Sequence, residues 1–192
     1  MKLHHNNIYH IYNRGNNKQK IFFTKKNYLF FLQKVKTELK PYSDIICYCL
    51  MPNHFHFMLS TYNNFNEEKF SNGFRILLSS YTKAINLQEK RTGSLFQQNS
   101  KAKCLTALSN YKNNNYGLVC FNYIHQNPVN ARLINKMEDW EFSSFRDSAG
   151  MRNGTMCNKN LAYELLGIPI SKTGFMKLSN EMLDPVKLQR IL

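Results

Sequence analysis

Carboxylates are scarce in this chain. Twelve Asp and Glu stand against 26 Lys and Arg, which leaves a formal net charge of +14. The clustered acidic side chains with which a two-metal carboxylate nuclease holds its ions are missing, and Glu138-Asp139 is the only acidic pair near a motif. Cysteine is thin and scattered. Cys47, Cys49, Cys104, Cys120 and Cys157 are odd in number and form no Cys-x-x-Cys pair, which argues against a disulfide scaffold and a structural zinc site. No apolar run approaches the ~20 residues of a membrane span. The opening MKLHHNNIYHIYNRG lacks the continuous apolar segment of a signal peptide, so a reducing cytoplasm is the expected location.

Positive charge and aromatic rings are what the chain has in abundance. Hydrophobic residues make up 43% and aromatics 14% of 192 residues, enough for one sizeable core with or without an appendage. A charge of +14 is usually retained for a polyanionic partner, nucleic acid first; a generally basic surface is the plainer alternative.

Periodicity gives the elements. NIYHIYNRG reads as a strand and turn. KKNYLFFLQKVKTELK carries Tyr28, Phe31, Leu32, Val35 and Leu39 at helical spacing and is closed by Pro41. SDIICYCLMPNHFHFMLS reads as two adjacent strands parted around Met51-Pro52-Asn53, because Pro52 has no N–H for a sheet ladder. Cys47 and Cys49 should share one strand face as small hydrophobes. A helix is expected from Glu67 to Glu89 with Phe74, Leu77, Leu78, Tyr81 and Ile85 on one side, although Gly73 weakens its start. GSLFQQNSKAKCL reads as a basic loop or short strand. A buried helix, NYGLVCFNYIHQNP, follows N-cap candidates Asn113, Asn114 and Asn115 and should stop at Pro128. GMRNGTMCNKN reads as a loop, and the last stretch should hold one or two short helices. There is no internal repeat. The succession predicts an α+β, ferredoxin-like sandwich with helices on one face of a mainly antiparallel sheet. Residues 1–150 form the expected domain and 151–192 an extension.

Chemistry concentrates in LMPNHFHFML. On a strand, His54, His56 and Met58 point one way and Phe55, Phe57 and Leu59 the other. The phenylalanine face belongs under the helices. The imidazoles either converge on a metal ion or are two ordinary histidines on an exposed sheet face. Two ligands do not close a metal site, so a third must come from elsewhere. In YIHQNP, Tyr123 and Asn127 are one helical turn apart, so Asn127 could complete the site while Tyr123 attacks what the ion holds. Spacing does not single this pair out: Tyr9–Asn13, Tyr12–Asn16, Tyr62–Asn66 and Tyr111–Asn115 repeat it. His10 either serves the site or fills the core.

YHIYNRGNNKQKIF, YCLMPNHFHFML, SSYTKAIN, GSLFQ with KAK, YIHQNPVNARLI and WEFSSFRD follow one another in order between about Ile8 and Asp147. Together they resemble the single-tyrosine HUH transposases, specifically the REP-associated tyrosine transposases and the insertion-sequence-200-like enzymes. The resemblance implies that His54-Phe55-His56 is the metal-binding motif, with Asn127, often glutamine in the insertion-sequence branch, as third ligand. It implies Tyr123 as nucleophile, Mg2+ or Mn2+ as the ion, and a ferredoxin-like fold. The implied reaction is cleavage of single-stranded DNA beside hairpins through a 5′-phosphotyrosine link.

DNA binding would then fall to Arg14, Lys18, Lys20, Arg75, Lys83, Arg91, Lys101 and Lys103, with Phe96 a candidate for stacking an unpaired base. The expected partner is single-stranded or hairpin DNA, with a cytoplasmic, nucleoid-associated location, no membrane and a possible homodimer. Two other readings stand: a non-catalytic nucleic-acid-binding module with a degenerate site, and a metal-dependent phosphodiesterase using water. The tail past Gly150 could clamp DNA, join a dimer or cap the site.

Overall fold

The computed structural model describes residues 2–109 and 115–192. Four strands, β1 (Ile8–Arg14), β2 (Ser43–Met51), β3 (His54–Thr61) and β4 (Lys101–Cys104), form one antiparallel sheet in the order β2-β3-β1-β4. Helix α1 (Lys25–Glu38) joins β1 to β2, and α2 (Glu67–Gln88) joins β3 to β4. That order and connectivity are ferredoxin-like.

Local chemistry explains each boundary. Thr24 and Asn27 form a capping box that starts α1, and Leu39 caps its end just before Pro41. The Asn66 side chain accepts from the Lys69 N–H, with Glu67 and Glu68 in the first turn of α2, where the helix dipole favours them. Pro52 and Asn53 form the β2–β3 turn. There the Pro52 carbonyl accepts from Ile21 and Phe22 at 2.8 and 3.1 Å, which ties the segment between β1 and α1 to the hairpin.

The phenylalanine face packs as expected. Phe55 and Phe57 are buried with Phe31 of α1 and Tyr81 of α2 in one aromatic core. A bulge between Ile45 and Cys47 lets Ile45 enter that core while Ile46, Cys47 and Cys49 all serve the other face.

The other face is covered too, which corrects the expectation of helices on one face only. Beyond the short α3 (Leu105–Ser109), α4 (Tyr116–Asn130) crosses the sheet against β2 and β3. Cys120, Phe121 and Ile124 bury against Cys47, Cys49 and Met58. Asn115 caps α4 by accepting from Leu118 at 2.9 Å; Asn113, Asn114 and Tyr111 lie outside the described residues. The helix runs past Pro128 to Asn130. So near the end, the missing proline N–H forfeits one intrahelical bond, and Ala131 N–H still closes on the Asn127 carbonyl at 2.9 Å.

After α5 (Phe145–Ser148), three short helices rather than one or two follow: α6 (Lys159–Leu166), α7 (Lys172–Ser179) and α8 (Pro185–Ile191). Leu166, Phe175 and Ile191 join the second core, while Cys157 reaches the first and Asn158 N–H bonds the Ile45 carbonyl at 2.8 Å. Arg152 pins the intervening loop with two bonds to the Asp147 carboxylate, at 2.7 and 2.8 Å. Among the described residues no helix is long and apolar enough to cross a membrane.

Candidate active site

Strand register gathers one set of side chains. Tyr12 pairs with His56, Arg14 with His54, and Lys101 of β4 with Tyr12, so these residues share the face that α4 crosses. From α4, Tyr123 meets the His56 ring edge-on with centroids 5.4 Å apart, and the His54 and His56 rings are 5.0 Å apart. Arg14, His54, His56, Lys101, Tyr123 and Leu192 line a cavity of about 360 Å³. The phenol and the two imidazoles are thus neighbours within a single chain.

Each polar atom here has a traceable orientation. Asn53 donates through Nδ2 to the Lys18 carbonyl at 3.2 Å, which leaves Oδ1 to accept from His54 Nδ1 at 2.6 Å. His54 Nε2 therefore carries a lone pair in the neutral ring. Asn127 donates through Nδ2 to the Tyr123 carbonyl at 3.1 Å, which turns its Oδ1 toward His54 Nε2 at 3.5 Å. Two acceptors face each other with no proton between them. His56 Nε2 is buried and has no hydrogen-bond partner. Such a set, two imidazole nitrogens and an amide oxygen, fits a divalent cation better than it fits itself. No three His, Cys, Asp or Glu among the described residues are placed to share an ion; the further donor beside the two imidazoles is the Asn127 amide oxygen.

Burial sets the charge states. It lowers His54 to about 4, with Asn127 pulling the other way and Arg14 adding to the drop. His56 is held well below the usual imidazole range, first by burial and then by His10, His54 and Arg14. Burial raises the Tyr123 phenol above its ordinary value, opposed in part by Asn127 and Arg14. At neutral pH the imidazoles are neutral donors and the phenol keeps its proton.

The basic candidates divide. Arg14 and Lys101 line the cavity, and Lys103 pairs with His10 on the same face. Arg75 and Lys83 line a groove of about 550 Å³ between α2 and the loop before β4; Gln97 of that loop lines groove and cavity alike. Lys18 and Lys20 are exposed in the segment after β1, and the Arg91 guanidinium donates to the Ser94 carbonyl at 3.3 Å. Among the described residues none of these eight cations joins an ion pair. Phe96 departs from expectation: its ring packs with Phe55 and Tyr81, leaving it 5% exposed, so it offers no stacking platform.

Sequence reasoning missed Tyr12, Gln97, Asn99 and Leu192, all of which line the cavity. Tyr12 was within reach of the strand period that relates it to His10 and Arg14. The other three carry no sequence signal. His10 is wholly buried beneath the site, 2.9 Å from His56 Nδ1 and 2.8 Å from the Ile191 carbonyl oxygen. The Tyr12 hydroxyl donates to the Leu192 carbonyl, so the end of α8 lies against the cavity.

Fold and site define an α+β protein of ferredoxin-like order with a tyrosine poised beside a histidine pair. No family model and no curated protein sequence matches the chain. Among solved structures it is similar to that of a REP-associated tyrosine transposase bound to a REP hairpin. The TM-score is 0.60 at 15% identity, over 82% of this chain and 94% of that one. At that identity the likeness is one of fold.

Proposed function

We propose that this protein cuts and rejoins single-stranded DNA, with Tyr123 as the attacking group. The observation that carries the reading is the meeting of Tyr123, His54 and His56 in one cavity that Arg14 and Lys101 also line. The solved neighbour, itself bound to a hairpin, supports DNA as the partner.

Attack of the Tyr123 oxygen on phosphorus forms the phosphotyrosine bond and breaks the bond to the 3′ oxygen. That oxygen leaves as a hydroxyl and takes up the proton that the phenol gives up. The phosphodiester energy is kept in the tyrosine ester, so a second 3′ hydroxyl can reverse the step and rejoin strands. A phenol with a raised pKa is a poor nucleophile on its own. Bound Mg2+ or Mn2+ would supply Lewis-acid neutralisation of phosphate charge, held by His54, His56 and Asn127. Arg14 and Lys101 neutralise the flanking phosphates, and Arg14 also favours the phenolate. The groove lined by Arg75 and Lys83 gives the strand a basic path away from the cavity, with Gln97 at the junction. The proximity of Tyr123 to His56 of the same chain supports a tyrosine used in cis.

Incubating a labelled hairpin-flanked oligonucleotide with protein and Mn2+ tests the reading. The expected product is a protein–DNA adduct that survives denaturing electrophoresis and disappears in Tyr123→Phe. Cleavage without an adduct would instead mark a hydrolase. Salt-sensitive binding with no cleavage in any metal would mark a binding module.

A further inference from the structure

We propose that His10 is a positioning residue which, anchored on the Ile191 carbonyl, fixes the His56 ring in the tautomer whose Nε2 lone pair faces the site. The inference rests on the reading of His56 as a metal ligand and adds a residue to it.

The argument is a chain of proton assignments. A carbonyl oxygen can only accept, so the 2.8 Å contact between Ile191 O and His10 Nδ1 requires the proton on His10 Nδ1. A neutral imidazole has one N–H, so His10 Nε2 is then an acceptor. The 2.9 Å contact between His10 Nε2 and His56 Nδ1 must therefore be donated by His56. That uses the single proton of the His56 ring and leaves Nε2 bare. The result matches an independent observation: Nε2 is the atom of His56 that is buried without a hydrogen-bond partner. Reverse the tautomers and the Ile191 carbonyl would face a bare nitrogen, while a buried N–H on His56 would have nothing to donate to.

The same geometry keeps His10 neutral: a second ring proton on its Nε2 would make His56 accept at Nδ1 and carry its own proton on Nε2, which is buried with nothing to donate to. His10 is itself 0% exposed. Its ring is stacked on Tyr12 at 4.7 Å and lies edge to edge with His56, the two planes 23° apart, which restricts rotation as well as tautomer. Metal-binding histidines commonly donate their second N–H to a carboxylate or carbonyl, and loss of that partner weakens metal binding. Here an imidazole takes the partner's role and passes the requirement to the backbone at the end of α8. The last helix therefore contributes to a site built on β1, β3 and α4 without supplying a ligand.

The experiment uses the full chain with 15N-labelled histidine and reads tautomers from long-range 1H–15N correlations near neutral pH without added metal. Mn2+ affinity is then measured by titration of the free-ion paramagnetic resonance signal. In the wild type His56 should show Nδ1–H and a bare Nε2. His10→Phe fills the volume but accepts nothing; it should lose that tautomer and bind Mn2+ roughly ten- to hundredfold more weakly. His10→Gln keeps an acceptor within reach of the His56 N–H and should recover most of the affinity. A wild-type His56 with its proton on Nε2 overturns the proposal, as does a folded His10→Phe with unchanged tautomer and affinity. Should His10→Phe not fold, the wild-type tautomer and the His10→Gln titration decide. Correct tautomers with no Mn2+ binding would refute the metal reading and leave the proton assignment standing.

Discussion

Asn127 links the two halves of the site: its Nδ2 holds the carbonyl of the residue that bears the phenol, and its Oδ1 faces His54. A neutral amide next to two neutral imidazoles gives the donor set no formal charge, which keeps affinity for a hard divalent ion modest. Adding a carboxylate at the same point should strengthen it. Asn127→Asp is expected to bind Mn2+ roughly tenfold more tightly, since charge count is a main lever on such sites, while Asn127→Leu should weaken binding by a similar factor. Titration of the free Mn2+ resonance signal measures both. Equal affinities across wild type, Asp and Leu would remove Asn127 from the set of ligands. The shared face of the two imidazoles was legible in the sequence because alternation along β3 is a local property. Turn spacing did not separate Tyr123 and Asn127 from four other Tyr–Asn pairs; the resemblance chose them, and the fold adds that α4 lies over the histidine face.

At the level of elements, Gly73 shows how a residue can look like a weakness and be a requirement. A Cβ added there would lie 2.3 Å from the Glu38 carbonyl oxygen, so α2 crosses the end of α1 backbone against side-chain-free backbone. Gly73→Ala gains helix propensity of about 1 kcal/mol. It must also displace the last turn of α1, and overpacking of a fixed contact costs about 1–3 kcal/mol. The net expectation is destabilisation by up to about 2 kcal/mol, seen as a lower denaturation midpoint with an unchanged slope. A midpoint at or above that of the wild type would mean that α1 shifts freely. Sequence pattern found α1, α2 and the first three strands, because the helices repeat over one buried face and the strands are runs of β-branched and aromatic residues; it left β4, four residues long with two exposed lysines, between loop and short strand. It stopped α4 at Pro128, since it could not see that only the final turn lay beyond. It missed the cover over the second face for a different reason. The short helices α6, α7 and α8 owe their place to contacts such as Phe175 and Ile191 in the second core, which are distant in sequence from their partners.

Across the whole molecule the two faces of the sheet differ in kind. One is filled with aromatic rings and aliphatic side chains. The other, under α4, holds His10, His54 and His56, with His125 buried in α4 itself. Burial lowers His10 and His54 to about 4 and His125 to about 3, and places His56 well below its ordinary value. In the unfolded chain each would titrate near 6.5. Between that value and the folded one, the unfolded state binds protons that the folded state refuses, so stability is full above about pH 6.5 and falls as pH drops. Each histidine contributes a slope of about 1.4 kcal/mol per pH unit once the unfolded ring is protonated. Against a total stability of roughly 5–15 kcal/mol, four such groups are enough to unfold the metal-free protein by about pH 4–5. Melting temperature followed by circular dichroism from pH 8 downward should be flat and then decline from just below 6.5; a profile flat to pH 5 would show the imidazoles to be hydrated. Because the titrating rings all lie on one side, hydrogen exchange at pH 5.5 should show α4 and α8 losing protection before α1 and α2. Loss at equal pace on both sides would mean that the two cores unfold as a single unit.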